Sequence, residues 1–352
     1  MRNAICRRHT TFAHLARLKS SHRGISGPAN VQTILVADIG GTHARFGLIK
    51  LSDDARPRLN NRLDLEAQDF PSFQDALRSY IDRTGMAKLP CAAAIAAAGP
   101  VTRGRVTLTN RNWSIAESEL RNSGFTDVIV INDFAALAHS IETLGPQDLH
   151  SIGPEVQGDV NSPVSIVGAG TGFGVSCLVR LGNQATPLMT EGGHIGFAPC
   201  DDQQMQILQA LQRKFGRVSV ERILSGKGLE NLYRIQQEVA GRKVDMLCAA
   251  ELTARALAGD SDCHSALTLF CSVYGSVAGD IALAHGARGG VIVAGGIAQK
   301  IHSFLIESPF RNQFENKGRL SSYVKAIPTR LLVDPDAALR GAARAGVIAW
   351  NR

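Results

Sequence analysis

The feature that most constrains the fold is a unit in which a strand, a glycine turn and a second strand follow one another. It occurs at residues 36–49, VADIGGTHARFGLI, and again at 164–179, VSIVGAGTGFGVSCLV. The segment after the first turn, 46–49, carries Phe, Leu and Ile among few helix formers, so it predicts a strand. Two copies of this unit predict a duplicated fold in which each half contributes one glycine hairpin.

The first turn lacks the pattern of the common nucleotide motifs. No Lys follows Gly40 or Gly41 as a P-loop requires, and the dinucleotide fingerprint should open a helix rather than a strand. Backbone N–H groups in such a turn attract anions. Asp38 beside them would repel a phosphate unless a cation lay between the two, so the turn indicates a magnesium–phosphate site. The alternative is a tight hairpin with Asp38 as a turn residue.

Two further glycine clusters accompany the first. The second turn holds Gly168, Gly170, Thr171, Gly172 and Gly174, and a third, Gly295-Gly296, ends the apolar segment GGVIVAGGI at 289–297. Turns one and two could hold phosphates from two sides, and turn three could pack against adenine or ribose. Each cluster is weak evidence alone, whereas the three in this order indicate one nucleotide site.

The remaining pattern alternates strands with helices, which predicts an α/β fold. Strands are predicted at 34–37, 46–50, 92–97 and 128–133. Helices are predicted at 114–122, 135–141, 229–239, 265–285 and 337–348. Two further helices are predicted from their capping residues: one at 201–215, capped by Asp201 and Asp202, and one that begins after Ser219. The segment 147–163 is rich in Gly, Pro and Asp and is interpreted as a crossing between domains.

Composition limits the class of protein. The 352 residues suffice for two domains, and 44% hydrophobic with 20% charged residues is typical of a globular protein. Seven scattered cysteines without a C-x-x-C pair argue against a zinc ribbon or a disulfide framework and favour a reducing compartment. We find no apolar run of the roughly 18 residues that a membrane helix needs, so no membrane association is expected.

The net charge of +7 is concentrated at the N-terminus. Residues 1–30 contain six Lys and Arg and no acid; removing these six from the total of 38 leaves 32 basic against 31 acidic residues. Without a basic stripe interleaved with aromatics, nucleic acid is not an expected partner. We expect a cytoplasmic protein in which residues 1–30 are a disordered basic extension, or are included only because the start codon was placed too far upstream. The alternative is that they form an organelle transit peptide.

Acidic and amide side chains complete the candidate site. Asp133 ends the apolar segment VIVIND, where a carboxylate at a strand end could act as a general base, or could instead cap the helix that follows. Glu191 and His194 lie three apart around two glycines, a spacing open to metal ligation or to hydrogen bonds with a polar ligand. Glu221 could likewise bind a ligand, or could favour the first turn of its helix electrostatically.

The motifs together resemble bacterial-type glucokinases of the actin/hexokinase/Hsp70 superfamily, from about residue 34 to the C-terminus. They are DIGGT at 38–42, TNRNW at 109–113, INDF at 131–134, GAGTGFGV at 168–175, EGGHIGFAP at 191–199, VSVERILSGKGLENLY at 218–233 and IVAGGI at 292–297. The cysteine-rich zinc motif of the repressor/kinase group is absent from the sequence. One departure is His43, where these enzymes often carry Asn, and it concerns the detail of the phosphate contacts.

The resemblance implies roles for individual residues. Asp133 would be the catalytic base, and glucose would be bound by Asn110, Asn132, Glu191, His194 and Glu221, with Trp113 in packing. ATP would be bound by Ala37, Asp38, Ile39, Gly40, Gly41, Thr42, Gly170, Thr171, Gly172, Gly295 and Gly296, and Asp38 would hold Mg²⁺ through water.

The resemblance also implies an architecture and a reaction. We expect a two-domain ribonuclease-H-like (actin-like ATPase) fold with an interdomain cleft: a small domain of 31–140 plus 336–352, and a large domain of 141–335. The protein is expected to be a homodimer that converts ATP and D-glucose to ADP and glucose 6-phosphate, the first step of glycolysis. Alternatives are a kinase for another hexose, a sugar-sensing regulator, which would need a DNA-binding segment or a missing base, and a chaperone-like ATPase, which would need a further domain.

Overall fold

The computed structural model describes residues 32–51, 56–108, 111–182 and 184–351. The expectations for residues 1–30 and for Asn110 lie outside the described residues. The described strands are β1 Thr33–Ile39, β2 His43–Lys50, β3 Leu59–Glu66, β4 Ala92–Ala97, β5 Val101–Thr102, β6 Arg105–Thr107, β7 Ser114–Ala116, β8 Asp127–Asn132, β9 Leu149–Ser151, β10 Val164–Ala169, β11 Phe173–Leu181, β12 Gln184–Met189, β13 Gly290–Ala294 and β14 Thr329–Leu332.

The described helices alternate with these strands, which confirms the α/β class. They are α1 Phe73–Thr84, α2 Glu117–Asn122, α3 Asp133–Ser140, α4 Asp202–Phe215, α5 Gly226–Val239, α6 Ala249–Leu257, α7 Ser261–His285, α8 Gly296–Lys300, α9 His302–Glu307, α10 Phe310–Glu315, α11 Ser321–Lys325 and α12 Ala337–Trp350.

The strands form two larger sheets with related topologies and a small ribbon. The first sheet has the order β3-β2-β1-β4-β8, and the second has the order β12-β11-β10-β13-β14-β9. In each sheet three consecutive antiparallel strands are followed by parallel ones, β1 to β4 to β8 and β10 to β13 to β14. The two glycine hairpins therefore occupy equivalent positions, β1–β2 in one sheet and β10–β11 in the other. The ribbon is β5-β6-β7.

Helices cover both faces of the first sheet, which explains the composition of its interior strand β4. Strand β4, AAAIAA, is buried throughout, as parallel strands with two covered faces usually are. Phe73 and Tyr80 of α1 stack near Phe46 on one face, and α12 packs on the other. Because β4 presents mainly methyl groups, α12 can lie close to the sheet.

The C-terminal helix belongs to the first sheet although it follows the second in the chain. Helix α12 contacts α3, β1, β4 and β8, and Leu339 and Val347 are buried with Ile34 and Val36. A Cβ at Gly341 would overlap the carbonyl oxygen of Ala136 in α3, so the glycine allows the two helices to touch backbone to backbone.

The second sheet is covered by the long helix α7, most of whose residues are buried. By length and composition α7 could cross a membrane, contrary to our expectation that no segment is apolar enough. In its most apolar window, however, 83% of the residues are buried inside the protein. Burial among α5, α6, α10 and the sheet accounts for that composition.

Several local predictions are confirmed and two are wrong. Strand β4 has the predicted bounds, and Asp201 caps α4, its Oδ1 accepting a hydrogen bond of 2.7 Å from the N–H of Gln204. The helix predicted at 114–122 begins only at 117, because 114–116 pair with β6 as a strand. Ser219 precedes a single 3₁₀ turn, and the cap of α5 is Ser225, which accepts from the N–H of Gly228.

Candidate active site

Turn one, residues 39–43, is closed by a hydrogen bond of 2.9 Å from the Gly40 N–H to the His43 carbonyl. Asp38 precedes the turn on β1 and lies directly opposite Arg45 on β2. The Arg45 guanidinium donates to Asp38 Oδ2 at 2.9 Å. The hairpin thus presents a glycine-rich backbone with a paired carboxylate beside it.

A second arginine supports the same turn from outside. Arg111 Nε donates to the carbonyl oxygen of Gly41 at 3.0 Å, and its Nη1 donates to that of Ala67 at 2.8 Å. Arg111 is thereby tied to turn one. The side chains of Ala37 and Ile39 are fully buried in the core, which leaves only their backbone for a ligand.

Turn two is tightened by a hydrogen bond of 2.8 Å from the Gly170 N–H to the Gly172 carbonyl, and it leaves Thr171 exposed. Nothing lies within 4 Å of the position that a Gly170 Cβ would take, whereas a Cβ at Gly172 would overlap Oε2 of Glu221. The two ends of this turn therefore face different surroundings, one open and one occupied by a carboxylate.

Turn three and the start of α5 both contact turn two. Gly295 has φ of 90°, and a Cβ there would overlap the carbonyl of Ala169, so glycine is required by conformation and by space. On the other side, the Gly226 N–H donates to the Gly170 carbonyl at 2.9 Å. Gly296 begins α8 with open space at its Cβ position. The predicted second and third clusters are thus brought together.

A cavity of about 460 Å³ adjoins turn two. Its lining includes Thr171, Glu221 and the first turn of α5, with Ser225 and Gly228. Because a helix N-terminus and a glycine turn meet at its edge, this cavity offers oriented backbone dipoles to an anionic ligand.

Asp133 is the first residue of α3, at the end of β8. The interpretation of Asp133 as the helix cap is wrong, because Asn132 has that role: its Oδ1 accepts from the N–H groups of Phe134 at 2.9 Å and Ala135 at 3.2 Å. Asn132 Nδ2 also donates to the Gly99 carbonyl at 3.1 Å. The Phe134 N–H also donates to Asp133 Oδ1 at 3.0 Å.

The surroundings of Asp133 raise the pKa of its carboxyl to about 7. Burial is the largest cause, and the negative charges of Asp38 and Glu191 act in the same direction against the backbone hydrogen bonds. Burial also raises the pKa of Asp38, while the charge of Arg45 and its hydrogen bond oppose that rise. Asp38 and Glu191 are therefore near enough to Asp133 for their charges to act on its carboxyl.

Glu191 immediately precedes, and His194 ends, the 3₁₀ turn Gly192–His194 that follows β12. Both side chains are exposed. The turn packs closely on β11, because a Cβ at Gly193 would overlap the carbonyl oxygen of Phe173. Glu221 reaches the same residue from the 3₁₀ turn Val220–Arg222, its Oε2 accepting from the Phe173 N–H at 2.9 Å. Glu221 and the turn between Glu191 and His194 therefore both contact the backbone of Phe173.

Two metal sites were considered from the sequence, one at Glu191 and His194 and one at Asp38. Within the described ranges no cluster of three or more His, Cys, Asp or Glu side chains has the geometry of a metal site. Glu191 and His194 accordingly lack a third protein ligand of these types. Asp38, with phosphate and water oxygens, suits Mg²⁺, which usually keeps several waters and takes few protein ligands.

Three supporting residues escaped the sequence analysis: Arg45, Arg111 and Phe134. Arg45 could have been found, since a two-stranded register that turns at Gly41 and Thr42 places it opposite Asp38. Arg111 and Phe134 had no such signal, because their partners are distant in the chain.

The chain matches known proteins over most of its length. The glucokinase family model covers residues 35–347. A glucokinase of Caulobacter sp. (strain K31) is 47% identical over 320 residues, spanning 91% of this chain and 96% of the relative. The crystal structure of a glucokinase from an Antarctic psychrotroph is similar with a TM-score of 0.79 and 39% identity, covering 89% of this chain and 98% of that one.

A more distant structure shares the fold. It is a ROK family glucokinase from Streptomyces griseus in complex with glucose and AMPPNP, with a TM-score of 0.61 and 19% identity over 89% of this chain and 98% of that one. At that identity the likeness concerns the fold alone. The family model and the Caulobacter relative identify the class: this chain belongs to the glucokinase family of ATP-dependent hexose kinases.

Proposed function

We propose that Asp133 is the general base of this glucokinase and accepts the proton of the glucose 6-hydroxyl as that oxygen attacks the γ-phosphorus of ATP. The observation that carries this assignment is the position of Asp133 between the two glycine hairpins with a pKa raised to about 7. A base whose pKa lies near the working pH is partly ionised and still basic enough to take the proton in the transition state. The bond from the γ-phosphorus to the β,γ-bridging oxygen breaks as the new bond forms.

The sugar is proposed to be bound by Glu191, His194 and Glu221, which come from the two 3₁₀ turns that contact the backbone of Phe173. Carboxylate oxygens accept hydrogen bonds from sugar hydroxyls, and each such bond to a charged group contributes about 1.5–3 kcal/mol. Asn132 joins this set from the end of β8, and Asn110 is proposed as a further contact. Several such groups discriminate between hexoses, because a missing hydroxyl leaves a buried partner unpaired.

The nucleotide is proposed to be bound by the three glycine turns. Turn one would contribute the backbone of 37–42, turn two Gly170, Thr171 and Gly172, and turn three Gly295 and Gly296. The cavity beside Thr171 and the N-terminus of α5 provides room and dipoles for the same ligand. Mg²⁺ held by Asp38 through water would neutralise phosphate charge.

The domain division is proposed from the two sheets. The small domain, 31–140 plus 336–352, would contain the first sheet with α12, and the large domain, 141–335, would contain the second, as in a ribonuclease-H-like (actin-like ATPase) fold. Support comes from the matching hairpin positions and from α12, which packs on the first sheet. The ligands would occupy a cleft between the domains, and closure would exclude water as a competing acceptor.

Ion pairs lie near the two places where the chain passes between the proposed domains, at about 140–141 and 335–336. Arg344 of α12 pairs with Glu142, and Arg340 pairs with the buried Asp334. Arg56 reaches Asp148 at 2.8 Å and Asp334 at 3.6 Å. Both crossings are thereby held against elements of the small domain, which is where a hinge of such a fold would lie.

The setting of the enzyme is also a proposal. We infer a cytoplasmic homodimer that supplies glucose 6-phosphate to glycolysis. Light scattering after size exclusion measures the subunit number directly, and a mass of about 38 kDa, that of a single chain, would contradict the dimer.

The test of the function is a panel of hexoses with the purified protein, ATP and Mg²⁺. Glucose is expected to give the highest kcat/KM, and a higher value for fructose or mannose would reassign the substrate.

In the same assay Asp133→Ala should lower kcat roughly 10²-fold or more, while glucose binding persists. Asp127→Ala, at the other end of β8, is the matched control and should leave kcat unchanged. Near-normal turnover by Asp133→Ala would remove it from the role of base.

A further inference from the structure

Phe134, the residue after Asp133, reaches across to the second sheet. Its ring lies on Gly168 and Gly174, which are paired across β10 and β11. A Cβ at Gly168 would come within 2.7 Å of Phe134 Cζ, and a Cβ at Gly174 would overlap the ring edge. We call these two glycines the glycine socket. Any side chain at either position would displace the ring.

The socket belongs to turn two. Gly168 and Gly174 are the paired positions just outside the 169–173 turn, so the ring of Phe134 contacts the hairpin that carries Gly170, Thr171 and Gly172. Helix α3 also contacts β10, β11 and β12. The helix that begins at Asp133 is thus seated on the proposed nucleotide hairpin rather than on its own sheet alone.

The backbone links the ring directly to the carboxylate of Asp133. The N–H of Phe134 donates to Asp133 Oδ1 at 3.0 Å and to Asn132 Oδ1 at 2.9 Å. Movement of Phe134 therefore moves the backbone donor that orients the Asp133 carboxylate. The opposite side of α3 is held by α12 through the close approach of Gly341 to Ala136.

We propose that Phe134 is a positioning residue: its ring in the glycine socket sets the position of the Asp133 carboxylate relative to turn two. The proposal rests on the assignment of Asp133 as general base. Phosphoryl transfer depends mainly on positioning, and a displacement of about 1 Å can cost roughly 10²-fold in rate. A residue that fixes the base relative to the phosphate hairpin then controls kcat without touching either substrate.

The competing role for Phe134 is filling of the core. That role predicts a loss of stability with an unchanged kcat for the folded fraction. The positioning role predicts a fall in kcat with small changes in the KM for glucose and for ATP, because the residues proposed to bind both substrates remain in place.

The first experiment compares Phe134→Leu with Phe125→Leu. Phe125 is also a phenylalanine with a buried side chain, 2% exposed, in the core of the first sheet, and it serves as the matched control for lost volume. Phe134→Leu should lower kcat roughly 10- to 100-fold and change either KM by less than about threefold. Phe125→Leu should lower the melting temperature but keep kcat. An unchanged kcat for Phe134→Leu would overturn the proposal.

A double-mutant cycle tests the socket itself. Gly174→Ala should lower kcat by displacing the ring, and adding it to Phe134→Leu should cost much less than it does alone, because the smaller side chain leaves room for the methyl group. Additive losses would overturn the proposal. The result is separable from the assignment of the base: if Asp133→Ala is inactive while Phe134→Leu is normal, only the positioning role fails.

Discussion

Arg45 and Asp38 face each other across the β1–β2 hairpin, and the guanidinium donates a hydrogen bond of 2.9 Å to the carboxylate. Burial raises the pKa of Asp38, and Arg45 opposes that rise. Arg45 thus favours the ionised form of Asp38 at the edge of the first glycine turn. An ionised carboxylate is what a magnesium-bound water needs as a hydrogen-bond acceptor, so in the proposed magnesium site Arg45 would support cation binding without contributing a ligand.

Arg45→Met should therefore raise the Mg²⁺ concentration that gives half-maximal activity. Without the guanidinium the pKa of Asp38 rises further, so its carboxyl binds a proton in competition with the cation. The effect should be larger at pH 6.5 than at pH 8.5, and the KM for glucose should stay near the wild-type value. Magnesium titrations of activity at the two pH values, with ATP saturating, measure it.

Arg78→Met is the control for this experiment. Arg78 forms an exposed ion pair with Asp75 on α1, and its loss should leave the magnesium requirement unchanged. A defect of Arg45→Met that appears in glucose binding alone would place the Asp38–Arg45 pair outside the nucleotide site.

The rate should depend on pH through Asp133. Its carboxyl has a pKa of about 7 and must be ionised to accept a proton, so kcat/KM for glucose should fall about tenfold per pH unit below pH 7. The profile between pH 5 and pH 9 at constant ionic strength measures this limb. A flat profile down to pH 5 would show that no group with a raised pKa has to lose its proton for the reaction.

The same carboxyl should lower stability at alkaline pH. Its pKa is raised in the folded state above the ordinary value of 3.8, so the folded protein binds the proton more tightly than the unfolded chain does. The cost of ionisation is absent below pH 3.8, grows between pH 3.8 and about 7, and is complete above that. Asp133→Asn, which cannot ionise, should gain more melting temperature over wild type at pH 8 than at pH 5. An equal gain at both pH values would contradict the shift.

The two ends of turn two should respond differently to alanine. Gly172→Ala would displace the Glu221 carboxylate from the Phe173 N–H and should raise the KM for glucose roughly 5- to 30-fold, the worth of about 1–2 kcal/mol. Gly170→Ala meets no protein atom within 4 Å, so its methyl group should instead occupy ligand space and raise the KM for ATP. Initial rates measured while each substrate is varied in turn distinguish the two effects. A raised KM for ATP in Gly172→Ala and a raised KM for glucose in Gly170→Ala would exchange the sugar and phosphate ends of the turn.

Glu191→Ala should raise the KM for glucose roughly 10- to 150-fold, because a hydrogen bond from a neutral hydroxyl to a charged group contributes about 1.5–3 kcal/mol. The KM for ATP should be nearly unchanged. His194→Ala should act in the same direction but less, since an uncharged imidazole makes a weaker hydrogen bond. A zinc-selective chelator should have no effect on wild type. Activity that is lost to the chelator and restored by zinc would return Glu191 and His194 to the metal hypothesis.

Short segments of the sequence determined the parts of this protein that depend on neighbours in the chain. The glycine turns, the apolar strands on either side of them and the Asp201 cap follow from backbone sterics and from hydrogen bonds within three residues. The family resemblance came from the same local motifs. It supplied the glucokinase class, which the family model and the Caulobacter relative confirm.

Local patterns failed where a competing local signal or a distant partner decided the outcome. Ser219 and Ser225 both precede a possible helix, and only the packing of α5 on turn two makes Ser225 the cap. Residues 114–116 became a strand because β6 offered a partner. Strand β3, LNNRLDLE, was missed because it is a mostly exposed edge strand whose polar residues weaken the alternating pattern.

Only the tertiary structure decided how the site is held together. The sequence showed Asp133 as a carboxylate at a strand end, but in the structure Asn132, not Asp133, caps α3. The raised pKa of Asp133 arises from burial near Asp38 and Glu191. The ring of Phe134 on the glycine socket, like the hydrogen bond from Arg111 to Gly41, joins segments far apart in sequence. Residue types alone do not encode such contacts, because they depend on how the two sheets and the helices between them pack, and that packing is a property of the whole chain.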